Sequence, residues 1–319
     1  MNATGPIVVT GAAGFIGRAL TSRLRAAGFA VRPVVREANA AAPQGAIALG
    51  AIESTSPEAL ARLVDGASAI VHLAGRAHVL RDTQADPDAA YRAANVEATE
   101  RLAHDAVAEG VPRFVLASSV KAAGEASAPG RPLAPDDEPR PQNPYGVSKL
   151  AAERALVDAC RGTRTAPIVL RLPLVVGPGA RGNVGKLVDA IAAGRVLPFG
   201  AIDNRRSLVG LSNVCDAILA ALVVSPPPAG VHYVCDAEPV STPAFARALA
   251  TALGQPARLA VVPVPLLRFA GRLFGRRGAV DRATGTLEVD PTSFLEATGW
   301  RPARTLADEC AAIAKARPL

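Results

Sequence analysis

The run IVVTGAAGFIGRAL, residues 7–20, limits this chain to few folds. A short β-branched apolar stretch (PIVVT, 6–10) reads as a buried strand, and GFIGRALTSRLRAAG reads as a helix closed by Gly28. Between them stand Gly11, Gly14 and Gly17. A strand that turns at once into a helix needs glycine where the backbone bends tightly and where it approaches a ligand closely. The new helix then offers unpaired N–H groups to an anion, which suits a pyrophosphate. A glycine triplet alone is weak, but one that follows a strand and opens a helix predicts a dinucleotide fold rather than a turn kept for packing.

The rest of the first half repeats the alternation. AVRPVV (30–35), ASAIVHLAG (67–75), RFVLASS (113–119) and PIVLRLP (167–173) read as strands. DAAYRAANVEATERLAHDAVAEG (88–110) and PYGVSKLAAERALVDACRG (144–162) carry helical spacing. The predicted class is α/β, a Rossmann-type doubly wound parallel sheet with a smaller, discontinuous C-terminal lobe. After about residue 176 the texture becomes Gly/Pro-punctuated, although GVHYVCD (230–236) suits one more strand of the main sheet. The expected division is 1–175 with 207–236 for the dinucleotide domain, and 176–206 with 237–319 for the substrate lobe.

Composition narrows the class of partner. The chain of 319 residues is half apolar and carries 35 Lys+Arg against 28 Asp+Glu, a formal charge of +7. That excess is almost all arginine, spread without a basic block, so nucleic-acid binding is not expected. Cys160, Cys215, Cys235 and Cys310 show no metal-ligand spacing, so no metal is expected and the thiols read as buried and reduced. With no leader and no long apolar run, the reading is a cytoplasmic protein without an integral membrane segment. VPVPLLRFAGRLFGRR (262–277) has two readings, a membrane-surface helix or, favoured here, an amphipathic helix packing its apolar face within the small lobe.

The second strand ends VVRE, where an NAD-type site usually carries an acid for the ribose 2′-hydroxyl. Val34 and Val35 cannot accept that bond, and Arg36 suits a 2′-phosphate. NADP(H) is therefore favoured, with NAD(H) the alternative that Glu37 keeps open.

NPYGVSK (143–149) supplies candidate chemistry. Asn143 is a helix cap and Pro144 belongs in a first turn, which puts Tyr145 and Lys149 on one face, one turn apart. An ammonium beside a phenol stabilises the phenolate, so the pair reads as a tunable acid/base. Ser118 and Ser119 end a strand on the ligand side of such a sheet.

With these motifs in order, the chain resembles the extended short-chain dehydrogenase/reductase family, the nucleotide-sugar epimerases, dehydratases and reductases. TGAAGFIG, HLAG (72–75), NVEAT (95–99), SSV, YGVSK and RLPLVVGPG (171–179) carry the resemblance over essentially the whole length. It implies Ser119, Tyr145 and Lys149 as catalytic residues. It implies cofactor contacts from Gly11, Gly14, Phe15, Ile16, Gly17, Leu73, Ala74, Gly75, Asn95 and Leu172, along with Tyr145 and Lys149. Ser119 is preferred to Ser118 because it stands five residues before Gly124. Ala123, Ala51 and Val176 replace the tyrosine, aspartate and tyrosine usual at those places. A homodimer packing the helices near 88–109 and 144–161 is also implied.

Within the family, SSVKAAGE, GPGARGNVGKLV, LPFGAIDNRRSLVGLSNV and TGTLEVD look like the bacterial branch that reduces nucleotide-linked 4-keto-6-deoxy sugars for surface polysaccharides such as O-antigen lipopolysaccharide. The implied substrate is a UDP- or dTDP-linked sugar, contacted by Ser119, Lys121, Asn183, Arg206 and Arg282, with Arg205 a weaker candidate. A dehydratase needs an acid pair after the catalytic hydroxyl, and Val120 and Lys121 stand there instead. A 4-epimerase with tightly bound NAD is the alternative, and a non-catalytic dinucleotide sensor a second one.

Overall fold

The computed structural model of the chain describes residues 5–77 and 86–317. Seven strands form one parallel sheet: β1 (Ile7–Thr10), β2 (Val31–Val35), β3 (Ile47–Ala48), β4 (Ala69–His72), β5 (Arg113–Ser119), β6 (Ala166–Leu172) and, from later in the chain, β9 (Gly230–Tyr233). Their order is β3-β2-β1-β4-β5-β6-β9. The chain runs outward from β1 and then crosses back to β4, so the ends of β1 and β4 bound the crevice where such sheets take ligands. Two further strands, β7 (Leu174–Val176) and β8 (Leu208–Gly210), pair separately and in parallel.

Both faces of the sheet are covered, which is why its strands read as continuous apolar runs rather than alternating ones. Ile7, Val9, Val71, Val115 and Ile168 pack on one side with Leu20 and Leu24 of helix Phe15–Ala26 and Val214, Ile218 and Ala221 of helix Leu211–Val223. The residues between them in sequence, Val8, Ile70, Phe114, Leu116 and Val169, face the other way onto Leu60, Leu63, Leu102, Ala106 and Leu156. A separate core joins Val176, Val184, Val188, Leu208, Phe245, Leu249, Cys310 and Ile313. The four cysteines are buried and unpaired.

Three elements depart from the sequence expectation. The helix expected over 88–110 is broken: Pro87–Tyr91 passes into a π-helical turn, Arg92–Glu97, before Ala98–Ala108 resumes. That widened turn carries Asn95 inward, a common use of such bulges. The strand β3 is two residues long, too short to leave a periodic signal. The segment 262–277 forms helix Val264–Leu273, which half-buries Val264, Leu267 and Ala270 but leaves Leu266, Phe269, Leu273 and Phe274 exposed rather than packed within the lobe.

At the crevice, Thr10 and His72 are register partners, and Thr10 Oγ1 hydrogen-bonds His72 Nδ1 at 2.7 Å. The same hydroxyl accepts from the Ala74 backbone N–H, so one side chain ties β1 to the turn after β4. Burial first, and the Lys149 ammonium second, drive His72 down to about 3. As pH falls below its ordinary 6.5, the unfolded chain binds the proton before the folded one does. Stability should therefore fall between pH 6.5 and 3 by up to ~1.4 kcal/mol per unit from this group. Urea unfolding midpoints at pH 7, 5 and 4 should show the decline, and His72→Gln should flatten it.

Candidate active site

The dinucleotide groove is built by close backbone approach. Gly11 sits at φ +67°, and a Cβ there would come 2.7 Å from the Ala74 nitrogen. A Cβ on Gly17 would meet the Gly11 carbonyl oxygen at 2.2 Å and Ala12 Cα at 2.7 Å. The helix therefore seats on the turn only because both are glycine. Gly14 caps that helix without a side-chain acceptor, which leaves the first-turn N–H groups for an anion.

From this turn a groove of about 630 Å³ extends along the strand ends. Gly11, Gly14, Leu73, Ala74 and Gly75 wall its centre, and Arg36, Glu37, Gly50 and Glu53 wall its far end. The cradle suits a pyrophosphate, with a nucleoside toward Arg36. Phe15, Ile16, Gly17 and Leu172 are not on this wall. Gly17 is packed behind the turn and Leu172 lies in the core. Asn95 is not on it either: buried, it accepts from the Arg76 N–H and donates to the Arg76 carbonyl and Ser148 Oγ. It positions the loop after β4 and the helix carrying Tyr145.

The catalytic candidates meet where β5 faces helix Pro144–Cys160. Asn143 caps that helix as predicted, accepting from the Gly146 N–H at 2.9 Å. Gly146 lets the helix press onto the turn after β5, since a Cβ there would lie 2.3 Å from the Lys121 carbonyl oxygen. That approach brings the Tyr145 phenol to a hydrogen bond with Ser119. Ser118 faces the opposite way and hydrogen-bonds Glu153, so geometry separates the two serines as the sequence spacing did.

Lys149 is nearly buried and its Nζ donates to the Ala117 carbonyl at 2.6 Å. Burial brings its ammonium down to about 8, with Glu153 opposing. The Tyr145 phenol moves up, because burial outweighs the Ser119 hydrogen bond, with Tyr91 adding to the rise. This corrects the expectation of an acidified phenol: desolvation dominates, and the adjacent ammonium is not what sets its titration here.

Beneath the trio lies a buried ion pair that sequence reading missed. Arg171 Nη2 lies 2.8 Å from Glu153 Oε2, and the Arg171 guanidinium stacks over Tyr233 at 5.8 Å. The signal was present as a charge inside the apolar run IVLRL, since a strand buried on both faces keeps a charge only when it is paired. The Thr10–His72 clasp was also missed.

A second cavity, of about 510 Å³, opens from the trio. Ser119, Lys121 and Tyr145 share its wall with Asn183, Lys186, Arg206 and Arg282, over a lining rich in Leu174, Leu187, Phe199 and Leu208. Of the predicted substrate residues, Lys121, Asn183, Arg206 and Arg282 thus come together with Ser119. Lys186 was not anticipated. Arg205 turns away, pairing with Glu288 at 2.9 Å. Arg206 Nη1 donates to the Arg282 and Gly285 carbonyls, which fixes its guanidinium in place. Lys121 is paired with Glu125, yet burial and then the Arg282 and Arg206 charges bring it down to about 8.

Fold and cavities together define a dinucleotide-dependent protein with an adjoining polar-rimmed site. Comparison with known proteins agrees: residues 7–235 match the model of the NAD dependent epimerase/dehydratase family. The chain belongs to that family, with homologues that are NAD(P)-dependent epimerases and dehydrogenases of the extended short-chain type. It is 35% identical to a UDP-glucose 4-epimerase of Vibrio cholerae over 94% of this chain and 92% of that one. It is 32% identical to a dTDP-6-deoxy-L-talose 4-dehydrogenase (NAD(P)(+)) of Kitasatospora kifunensis, covering 94% and 92%. Among solved structures, MoeE5 in complex with UDP-glucuronic acid and NAD aligns with a TM-score of 0.77 at 28% identity, covering 98% of each chain.

Gly17→Ala should weaken NADH binding by roughly tenfold or more by displacing the helix N-terminus. Gly14→Ala, whose Cβ meets only the Gly11 carbonyl oxygen at 3.0 Å, should be milder in the same calorimetric titration. Glu153→Gln strands Arg171 and should cost ~3–5 kcal/mol in chemical unfolding. With the carboxylate that supports it gone, the Lys149 ammonium should titrate lower, moving the alkaline limb of kcat/KM to lower pH.

Proposed function

We propose that the protein reduces the C4 ketone of a UDP- or dTDP-linked 4-keto-6-deoxy sugar, using NAD(P)H. The observation that carries this reading is the hydrogen-bonded Ser119–Tyr145 pair facing a cavity walled by Arg206 and Arg282, with Lys149 buried behind it. The dinucleotide, when bound, supplies the hydride. Tyr145 gives its proton to the alkoxide oxygen as the C4–H bond forms, and Ser119 donates a hydrogen bond to the same oxygen. A phenol that burial keeps protonated is ready to act as an acid, which fits the reductive direction. Lys149 holds the cofactor ribose. Arg206 and Arg282 receive the diphosphate, for which the planar guanidinium is well shaped, and Asn183 and Lys121 contribute to the same pocket.

At the far end of the groove, Arg36 is the residue suited to a 2′-phosphate, and it supports NADPH as the reductant. Glu37 and Glu53 stand beside it with the chemistry for a free 2′-hydroxyl, so NADH is the competing cofactor. The Vibrio cholerae relative favours a second reading, 4-epimerisation, in which hydride leaves and returns to C4 on one retained NAD. The Kitasatospora kifunensis relative favours net redox chemistry at the same carbon.

Purified protein given NADPH or NADH with UDP- and dTDP-linked 4-keto-6-deoxy sugars should consume nicotinamide absorbance in proportion to alcohol formed. Interconversion of 4-hydroxy sugars with no net absorbance change would establish the epimerase instead. Tyr145→Phe should lower turnover by roughly 10²–10⁴ while dinucleotide binding persists, as expected for loss of a general acid.

A further inference from the structure

Helix Val264–Leu273 packs one side and exposes another. Its buried side carries Gly271, where a Cβ would lie 2.7 Å from Val280 Cγ2, so the helix sits directly on the following helix, Arg277–Thr284. On another side Leu266, Phe269 and Leu273 follow one another at helical spacing, exposed by 55%, 65% and 69%. Phe274, at 72%, follows directly at the C-terminal end of the helix. Isolated exposed leucines are ordinary. A contiguous ridge with two phenylalanines marks a surface that something covers.

Charge identifies the cover. From Pro239 to Val280 the chain has six arginines and neither an aspartate nor a glutamate. Arg268 and Arg272 stand one turn apart beside the ridge, and Arg276 and Arg277 follow its end, all four exposed. The next acid in sequence, Asp281, is exposed and lies 3.6 Å from Arg277. A second copy meeting this ridge across a two-fold axis would lay one arginine cluster against the other. An apolar ridge bordered by guanidinium groups fits a surface that is apolar beneath and anionic at its boundary.

We infer that the helical pair 264–284 is a membrane-docking element that takes an anionic phospholipid surface. Phe269, Leu273 and Phe274 enter the headgroup boundary, and Arg268, Arg272, Arg276 and Arg277 meet the phosphates. The second helix of the pair also supplies Ala279 and Arg282 to the 510 Å³ cavity, so docking holds that cavity beside the membrane. The inference does not depend on which reaction the cavity hosts.

The test is co-sedimentation of the full chain with vesicles of phosphatidylcholine alone and of phosphatidylcholine with an equal part of phosphatidylglycerol. Binding is expected on the anionic vesicles only, and weaker as salt is raised. The double variant Phe269→Ser, Leu273→Ser should lower the bound fraction by about tenfold with Tm and NADH binding unchanged, since buried apolar area sets the affinity. Arg268→Gln with Arg272→Gln should lower it several-fold. No binding to anionic vesicles, equal binding to phosphatidylcholine, or binding that survives the double serine variant would overturn the proposal. So would a lipid-indifferent dimer that the double serine variant splits, which would assign the ridge to self-association.

Discussion

The contact on which the site depends is the seating of helix Phe15–Ala26 against the turn after β1. Gly17 lies against the Gly11 carbonyl, and Gly11 lies against the turn after β4, with no room for a Cβ at either place. Thr10 then closes the crevice by bonding His72 and the Ala74 backbone. These contacts bring two strand ends and a helix N-terminus together, an arrangement of ordinary backbone whose free N–H groups suit a pyrophosphate. The π-helical turn extends the same logic, because Asn95 ties the Arg76 loop to Ser148 and so sets the helix of Tyr145 relative to the groove.

Around the trio, burial moves two ordinary side chains in opposite directions. Lys149 falls to about 8 because its ammonium is desolvated, while Tyr145 rises for the same reason acting on its phenolate. Their titrations, close together for the free side chains, are thereby pushed apart, as in sites where environment assigns paired groups different roles in proton transfer. Glu153 limits the fall of Lys149, and it can remain a buried carboxylate because Arg171 pairs with it and Ser118 hydrogen-bonds it. The charges below the trio are therefore part of its electrostatics as well as of its packing.

Much of this was legible in the chain. The glycine spacing, the cap at Asn143 and the four-residue separation of Tyr145 and Lys149 are local patterns, and local patterns follow from backbone geometry. What was misread involved surroundings. The phenol was expected to be acidified by its neighbour, but depth of burial decided otherwise. The groove wall is made by Leu73, Ala74 and the glycine turn, while Leu172 lies in the core. Arg205 and Arg206 are adjacent in sequence, yet one pairs with Glu288 at the surface and the other enters the cavity wall. Resemblance ranked Arg206 above Arg205, and the physical reason lies in what each side chain meets once the lobe is packed.

By itself, the amino-acid order determined the strand and helix segments, the glycine turn between the first two, and the helix that presents tyrosine and lysine on one face, because each rests on residues close together in the chain. The tertiary structure alone decided that Glu153 pairs with Arg171 beneath the trio, that Lys186 joins the second cavity, and that Phe269 and Leu273 remain uncovered. Those outcomes depend on contacts between residues tens to hundreds of positions apart, where desolvation and distance are set by the packing of whole elements.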